Sequence, residues 1–231
     1  MSEFAEAVGH AGRLLVAFDS GVWEIVLLSL EVSCLAVALA ALCGFPLGAA
    51  LALYAFPGRR AVVILANALM GLPPVVVGLT VYLLLSRSGP LGDLGLLFTP
   101  AAMVIAQWVL VTPIITALTR QVIEDLWEEY EDELRSLGST RGQAIGTLLW
   151  EGRYRLTTAV LAGFGRAIAE VGAVLIVGGN IAHATRVMTT AIALETAKGE
   201  LALALGLGAV LLTLALLINA VAYLTRDLAR A

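Results

Sequence analysis

Five long apolar stretches limit what this chain can fold into. Each is close to or above the roughly 20 residues that an α-helix needs to cross the hydrocarbon core of a membrane. They cover residues 32–56 (with an earlier start as the alternative), 61–85, 96–118, 156–177 and 201–224. No strand-like alternation competes with them. The pattern predicts an all-α integral membrane protein of about five spans, with six as the alternative, in one domain over residues 1–231.

Composition supports this prediction. The chain is 60% hydrophobic and 14% charged, with a mean hydropathy of +0.93, whereas a soluble domain is about 25% charged. Much of its surface must therefore face a lipid bilayer. The net charge of −4 does not fit a nucleic-acid-binding protein, which needs a basic face.

Basic residues predict the orientation, because they are enriched in cytoplasmic loops. If segment 119–155 is cytoplasmic, nine basic residues lie on that side and four on the other. The cytoplasmic nine are Arg59, Arg60, Arg120, Arg135, Arg141, Arg153, Arg155, Arg226 and Arg230, and the outer four are Arg13, Arg87, Arg186 and Lys198. We therefore expect a plasma-membrane protein with its N-terminus outside and its C-terminus cytoplasmic. Residues 4–30 mix apolar and charged side chains, which predicts an interfacial helix over about residues 1–30 on the outer surface, with a short sixth span as the alternative.

The motifs of common enzymes are absent. A nucleotide-binding P-loop needs a Gly-Lys-Ser/Thr sequence, and the single lysine, Lys198, precedes Gly199 and Glu200. His10 and His183 are isolated in sequence, so no spacing suggests a metal site. We expect a non-enzymatic chain without a cofactor of its own.

The polar segment 119–155 carries the strongest local signals. Seven acidic residues fall between Glu124 and Glu133, and an amphipathic pattern follows. Within it, Gly138-Ser139-Thr140 is typical of a helix end followed by a new N-cap. We therefore predict two short helices joined by a tight turn, suited to docking on a soluble partner; a solvated surface loop is the alternative.

This segment and other blocks resemble the permeases of ABC importers for molybdate and tungstate. The sequence from Asp132 to Leu148 resembles the cytoplasmic EAA loop of such permeases, although Glu133 and Leu134 replace two alanines and Trp150-Glu151 replaces Leu-Pro. The resemblance continues in segments 71–78, 88–92, 165–173 and 177–181, and covers about residues 30–225. Segment 86–90 and the short N-terminus are more similar to the tungstate branch.

The resemblance implies the ABC importer permease fold, two copies of the chain, two cytoplasmic ATPase subunits that bind ATP, and an extracytoplasmic binding protein that delivers the oxyanion. It implies import of tungstate first and molybdate second, with sulfate as another candidate anion. The residues that it assigns to ATPase coupling are Asp132, Glu133, Leu134, Leu137, Gly138, Gly142, Ile145 and Leu148. Candidates for the translocation path are Pro73, Pro74, Gly78, Arg166, Glu170, Gly178, Gly179 and Asn180.

Two intramembrane features bear on this path from the residues alone. Pro73-Pro74 interrupts the second predicted span, either as a structural kink or as a break that lines the path. Arg166 and Glu170 lie four residues apart in the fourth span, where a lone charge costs about 3 kcal/mol. They form either a structural ion pair or a pair in which Arg166 faces the passing anion. A stand-alone secondary carrier and a membrane scaffold are the alternatives to an ABC permease, although no internal repeat supports a carrier.

Overall fold

The computed structural model describes residues 20–228, and these residues form helices joined by turns and loops. No strand occurs among them, which confirms the all-α prediction. The helices are α1 Ser20–Leu53, α2 Arg59–Leu69, α3 Pro74–Leu85, α4 Pro100–Ser136, α5 Arg141–Glu151, α6 Arg153–Ile168, α7 Gly172–Gly178, α8 Met188–Lys198 and α9 Leu201–Leu228, with a 3₁₀ turn at Gly92–Leu94.

Three helices are long and apolar enough to cross a membrane without interruption, namely α1, α4 and α9. Two further spans are broken. Helices α2 and α3 meet at 101°, and helices α6 and α7 meet at 58°. Counting each bent pair as one span gives up to five crossings within the described chain, in agreement with the five predicted.

Glycines let the long helices approach closely. A Cβ atom on Gly48 of α1 would lie 2.6 Å from the carbonyl oxygen of Thr116 on α4, and one on Gly44 would lie 2.8 Å from Cγ2 of Ile115. Gly163 of α6 meets α4 in the same way, 2.8 Å from Cγ1 of Val111. Small residues at such crossings are the usual device for packing helices in lipid, where no hydrophobic effect drives them together. Helices α1, α4 and α6 thus form the central scaffold.

The short helices α3 and α7 pack against each other. A Cβ on Gly78 of α3 would lie 2.7 Å from Cα of Ala173 on α7, so the two backbones are nearly in contact. The side chains of Val77 and Val81 join Val174 and Val177 in one buried cluster with the first turns of α4. These two half-helices therefore act as one packed unit.

The two ends of the molecule have different chemistry. The α5 end is formed by the C-terminus of α1, the start of α2 and the last third of α4. There an ion pair joins Arg59 to Glu124. At the opposite end, the backbone N–H of Phe98 donates to the carbonyl of Val177 at 3.0 Å, and His183 Nδ1 lies 2.7 Å from a carboxylate oxygen of Glu24.

Two predicted boundaries differ from the structure. The interfacial helix predicted for residues 1–30 is wrong from Ser20 onward, because α1 starts there and its side chains Val26 and Ser29 are buried inside the protein. The rest of that predicted segment lies outside the described residues.

The first short helix predicted in segment 119–155 is also wrong. Helix α4 continues without a break to Ser136, because residues 119–136 contain no Gly or Pro and Ile123 and Leu126 are buried against Ala49 and Leu53 of α1. An ion pair between Arg135 and Glu131, one turn apart, adds support on the surface.

Candidate functional site

Glu170 organises the break between α6 and α7. Glu170 is 2% exposed. Its carboxylate oxygen Oε2 accepts a hydrogen bond from Nη1 of Arg166 at 2.5 Å. Its other oxygen accepts the backbone N–H of Ala173 at 3.0 Å and so caps the first turn of α7. The hydroxyl of Thr189, from α8, donates to the Glu170 carbonyl at 2.8 Å. The predicted proximity of Arg166 and Glu170 is confirmed, but Glu170 lies in the break beyond the end of α6 rather than on one continuous helix.

A third element completes this break. The carbonyl of Ala167 at the end of α6 accepts the backbone N–H of Glu170 at 3.1 Å, and the side-chain amide of Gln107 on α4 also donates to it at 3.0 Å. Backbone polar groups at membrane depth need such partners, because lipid offers none. The break is thus held by the buried side chain of Glu170 itself and by buried side chains from α4 and α8.

An exposed stripe runs along α6 past this break. Its members are small or polar: Thr158, Ala162 and Ala169 are exposed, and Gly165 and Arg166 between them are half-buried. A lipid-facing stripe looks different, as on α1, where Leu35, Leu39 and Leu42 are exposed. A stripe of this composition suits a water-filled path or a closely packed second protein surface.

The break between α2 and α3 is built differently. Pro74 opens α3 at a position where its missing N–H leaves no donor unsatisfied. Residues 70–73 are held by local turns, such as the bonds from Gly71 N–H to the Ala68 carbonyl at 3.1 Å and from Leu72 N–H to the Leu69 carbonyl at 3.2 Å. The proline pair therefore breaks the span outright.

Other predicted path residues lie at packing positions of the described chain. Gly78 is buried against α7, and a Cβ on Gly178 would lie 2.9 Å from Sδ of Met103. Gly179 has a φ of 72°, which ends α7 in the left-handed region that favours glycine. Asn180, with a φ of 51°, donates from Nδ2 to the carbonyl of Thr190 at 3.4 Å. The block 178–180 thus shapes the loop that follows α7.

The predicted turn after α4 is confirmed. Gly138 has a φ of 72°, and the N–H groups of Gly138 and Ser139 donate to the carbonyls of Arg135 and Leu134, both at 3.0 Å. This pattern is a Schellman helix end. Thr140 then opens α5 with a reciprocal capping box to Gln143.

Residues assigned to coupling divide into two groups around this turn. Leu148 is buried among residues of α1 and α4, with Leu134 and Ile145 half-buried beside it. Five others are exposed, and they are Asp132, Glu133, Leu137, Gly138 and Gly142. Leu137 is 82% exposed and Trp150 is 70% exposed, so large apolar side chains are accessible at this end, although the Arg153 guanidinium lies 4.8 Å from the centroid of the Trp150 ring.

Sequence reasoning missed a charge cluster at the α5 end. Nη2 of Arg59 lies 2.5 Å from Oε1 of Glu124, and Arg120 binds the second oxygen of the same carboxylate. The four-residue spacing of Arg120 and Glu124 on a helix was a usable signal, whereas nothing in the sequence joins Arg59 to them. Within residues 20–228, no three His, Cys, Asp or Glu side chains are placed to hold a metal ion.

Apolar spans, two of them broken, with a buried ion pair at one break and a charged helical turn at one end, define a multi-pass helical membrane protein. Its relatives specify the class further. The chain is 43% identical over 223 residues to the tungstate uptake system permease protein TupB of Peptoclostridium acidaminophilum, which is 96% of this chain and 98% of that protein. The chain therefore belongs to the family of ABC transporter permeases that includes the tungstate uptake permeases.

Two further relatives show the breadth of this family. The probable anion ABC transporter permease protein of Haloferax volcanii is 43% identical over 209 residues, which is 88% of this chain and 90% of that protein. The sulfate transport system permease protein CysT of Escherichia coli is 31% identical over 172 residues, which is 71% of this chain and 62% of that protein. No protein-family model matches the chain.

Proposed function

We propose that this chain is the membrane-spanning subunit of an ABC importer for tungstate. The observation that carries the proposal is the 43% identity to a tungstate uptake permease along 96% of the chain. Molybdate, another tetrahedral oxyanion, is the next candidate. The more distant likeness to a sulfate permease, at 31% identity, makes sulfate the third.

ATP hydrolysis then belongs to a separate pair of ATPase subunits on the cytoplasmic side. The chain has no P-loop lysine, which fits this division of labour. We place the ATPase contact at the turn between α4 and α5, where Leu137 and Trp150 are exposed beside acidic side chains. Buried Leu148 packs α5 against α1 and α4, so a displacement of this turn is transmitted to these membrane-spanning helices.

The α5 end then faces the cytoplasm and the opposite end faces the binding protein. The excess of basic residues at the α5 end supports this orientation. The exposed stripe of α6 supplies one wall of the path, and the same stripe of a second copy supplies the other. Arg166 stands on that wall with its side chain 29% exposed, although its bond to Glu170 gives it a structural role as well.

Reconstitution tests this proposal. The chain, its cognate ATPase and its binding protein in proteoliposomes should take up tungstate when ATP is supplied on the ATPase side, measured by elemental mass spectrometry. A hydrolysis-dead ATPase is the matched control. Uptake of sulfate in preference to tungstate would transfer the assignment to the sulfate branch, and uptake without any ATPase would establish a secondary carrier instead.

A further inference from the structure

The charge cluster at the α5 end ties three elements together. Arg59, the first residue of α2, donates from Nε to the carbonyl of Leu51 at 2.7 Å and from Nη2 to that of Ala52 at 3.3 Å. Both carbonyls belong to the last turn of α1, whose acceptors lack helical partners. The same guanidinium binds Glu124 of α4. One arginine therefore fastens the start of α2 to both scaffold helices.

Glu124 is fixed from two sides. Its carboxylate oxygens bind Arg59 and Arg120 separately, and its side chain is 31% exposed. An isolated surface ion pair contributes little, but a network of short, multiply bonded charges holds its geometry. Glu124 also lies on the same uninterrupted helix as Ser136, at the turn before α5. A displacement of that turn therefore moves Glu124.

Helix α2 is otherwise weakly attached. None of its residues, 59–69, is buried. Its far end leads into residues 70–73, where the backbone hydrogen bonds of the described chain are local turns and Leu72 is half-buried against the cluster around α3 and α7. The break between α6 and α7 is the opposite case, because Gln107 and Thr189 clamp it from other helices. Of the two breaks, the one at residues 70–73 therefore lacks a described hydrogen bond from another helix.

Beyond residues 70–73 lies the packed unit of α3 and α7. A Cβ on Gly172 would lie 3.0 Å from Cγ2 of Val75, so the first turn of α3 touches the first turn of α7. Helix α2 thus connects the charge cluster at one end to the α3–α7 unit near the other. It is held by side-chain hydrogen bonds at its first residue and joined to α3 by local turns at its last.

We propose that Arg59 and Glu124 are positioning residues that make α2 a connecting rod between the cytoplasmic turn and the α3–α7 unit. This inference rests on the proposed importer function. Movement of α4 at the ATPase contact displaces Glu124, Glu124 carries Arg59 and α2 with it, and residues 70–73 convert that displacement into a movement of α3 and α7. Coupling through contiguous packed elements of this kind requires a direct coupling measurement.

The test uses the reconstituted complex and measures ATP hydrolysed per tungstate taken up. Arg59→Gln and Glu124→Gln should each raise this ratio about tenfold, since each removes one partner of a partly buried charge pair. The double variant should be no worse than either single, because residues that act as a unit are not additive. Arg59→Lys, which keeps the charge, should retain part of the coupling.

Arg60→Gln is the matched control, because Arg60 is the next residue, is exposed and has no described ion pair. It should keep the wild-type ratio. Equal ratios in wild type and both single variants overturn the inference alone. The inference is also overturned if the ratio of ATP to tungstate rises only in variants whose melting temperature falls. It is overturned likewise if the effects of the two single variants add up in the double variant. If the wild-type complex takes up no tungstate with ATP, the importer proposal falls, and this inference falls with it.

Discussion

Removing Arg166 tests the energetics of the α6–α7 break most directly. Arg166→Met leaves the Glu170 carboxylate, 2% exposed, without the cation it pairs with. Breaking a buried ion pair from one side costs about 3–5 kcal/mol, because the remaining charge is uncompensated. We expect Arg166→Met to be the least stable variant of the series.

Glu170→Met has a different cost. The side chain of Arg166 is 29% exposed, so its charge can reach water or polar groups along the α6 stripe, and the electrostatic loss is smaller. However, the Ala173 N–H loses the oxygen that caps α7, which costs about 1 kcal/mol. The double variant has no uncompensated charge but still lacks the cap, so it should recover most, but not all, of the stability lost in Arg166→Met.

Melting temperatures in detergent and tungstate uptake in proteoliposomes measure the two consequences separately. Arg155→Met, an exposed arginine on the same helix, is the control and should melt like wild type. If Arg166→Met also melts like wild type, the reasoning about a buried, uncompensated carboxylate is refuted. If the double variant is stable but fails to transport, the preference for a structural pair is overturned and Arg166 serves the anion in the path.

The remaining predictions concern the coupling turn, the orientation and the scaffold. Gly138→Leu should lower the stability of the turn by about 1–2 kcal/mol, because residue 138 lies in the left-handed region, and should raise the ATP hydrolysed per tungstate while the protein still inserts. Gly146→Ala, on α5, is the control and should couple like wild type; normal coupling in Gly138→Leu would remove the turn from the ATPase contact. In a variant without Cys34 and Cys43, Pro57→Cys should be protected from an impermeant thiol reagent in intact cells, whereas Asp93→Cys should be labelled. The reverse pattern would invert the proposed orientation. Gly48→Leu should lower the melting temperature strongly, because even a Cβ there would lie 2.6 Å from the Thr116 carbonyl; a wild-type melting curve would falsify the described α1–α4 crossing.

Local signals made several features predictable. Long apolar runs predict membrane spans because a helix must satisfy its backbone internally in lipid, and five runs match three intact and two broken spans. The Gly138-Ser139-Thr140 turn was predictable because the αL helix end and the N-cap are each decided by a few neighbouring residues. Pro73-Pro74 marked a break for the same local reason.

Helix boundaries were harder to predict where packing overrides composition. The charges at Arg120 and Glu124 suggested that the third span ends before them, yet α4 continues to Ser136 because one face of that extension is buried against α1. In the same way, Glu24 suggested an interfacial helix, whereas buried Val26 and Ser29 place this stretch in α1.

The sequence by itself determined that this chain crosses a membrane, where its prolines break a span, and that a charged turn stands between two helices, because each of these depends on residues close together in the chain. It also placed Arg166 and Glu170 within reach of each other. The tertiary structure alone brought Gln107 and Thr189 to the second break and joined Arg59 to Glu124. These contacts link residues far apart in sequence, and their partners are carbonyls and charges at helix ends that become identifiable once the helices are packed.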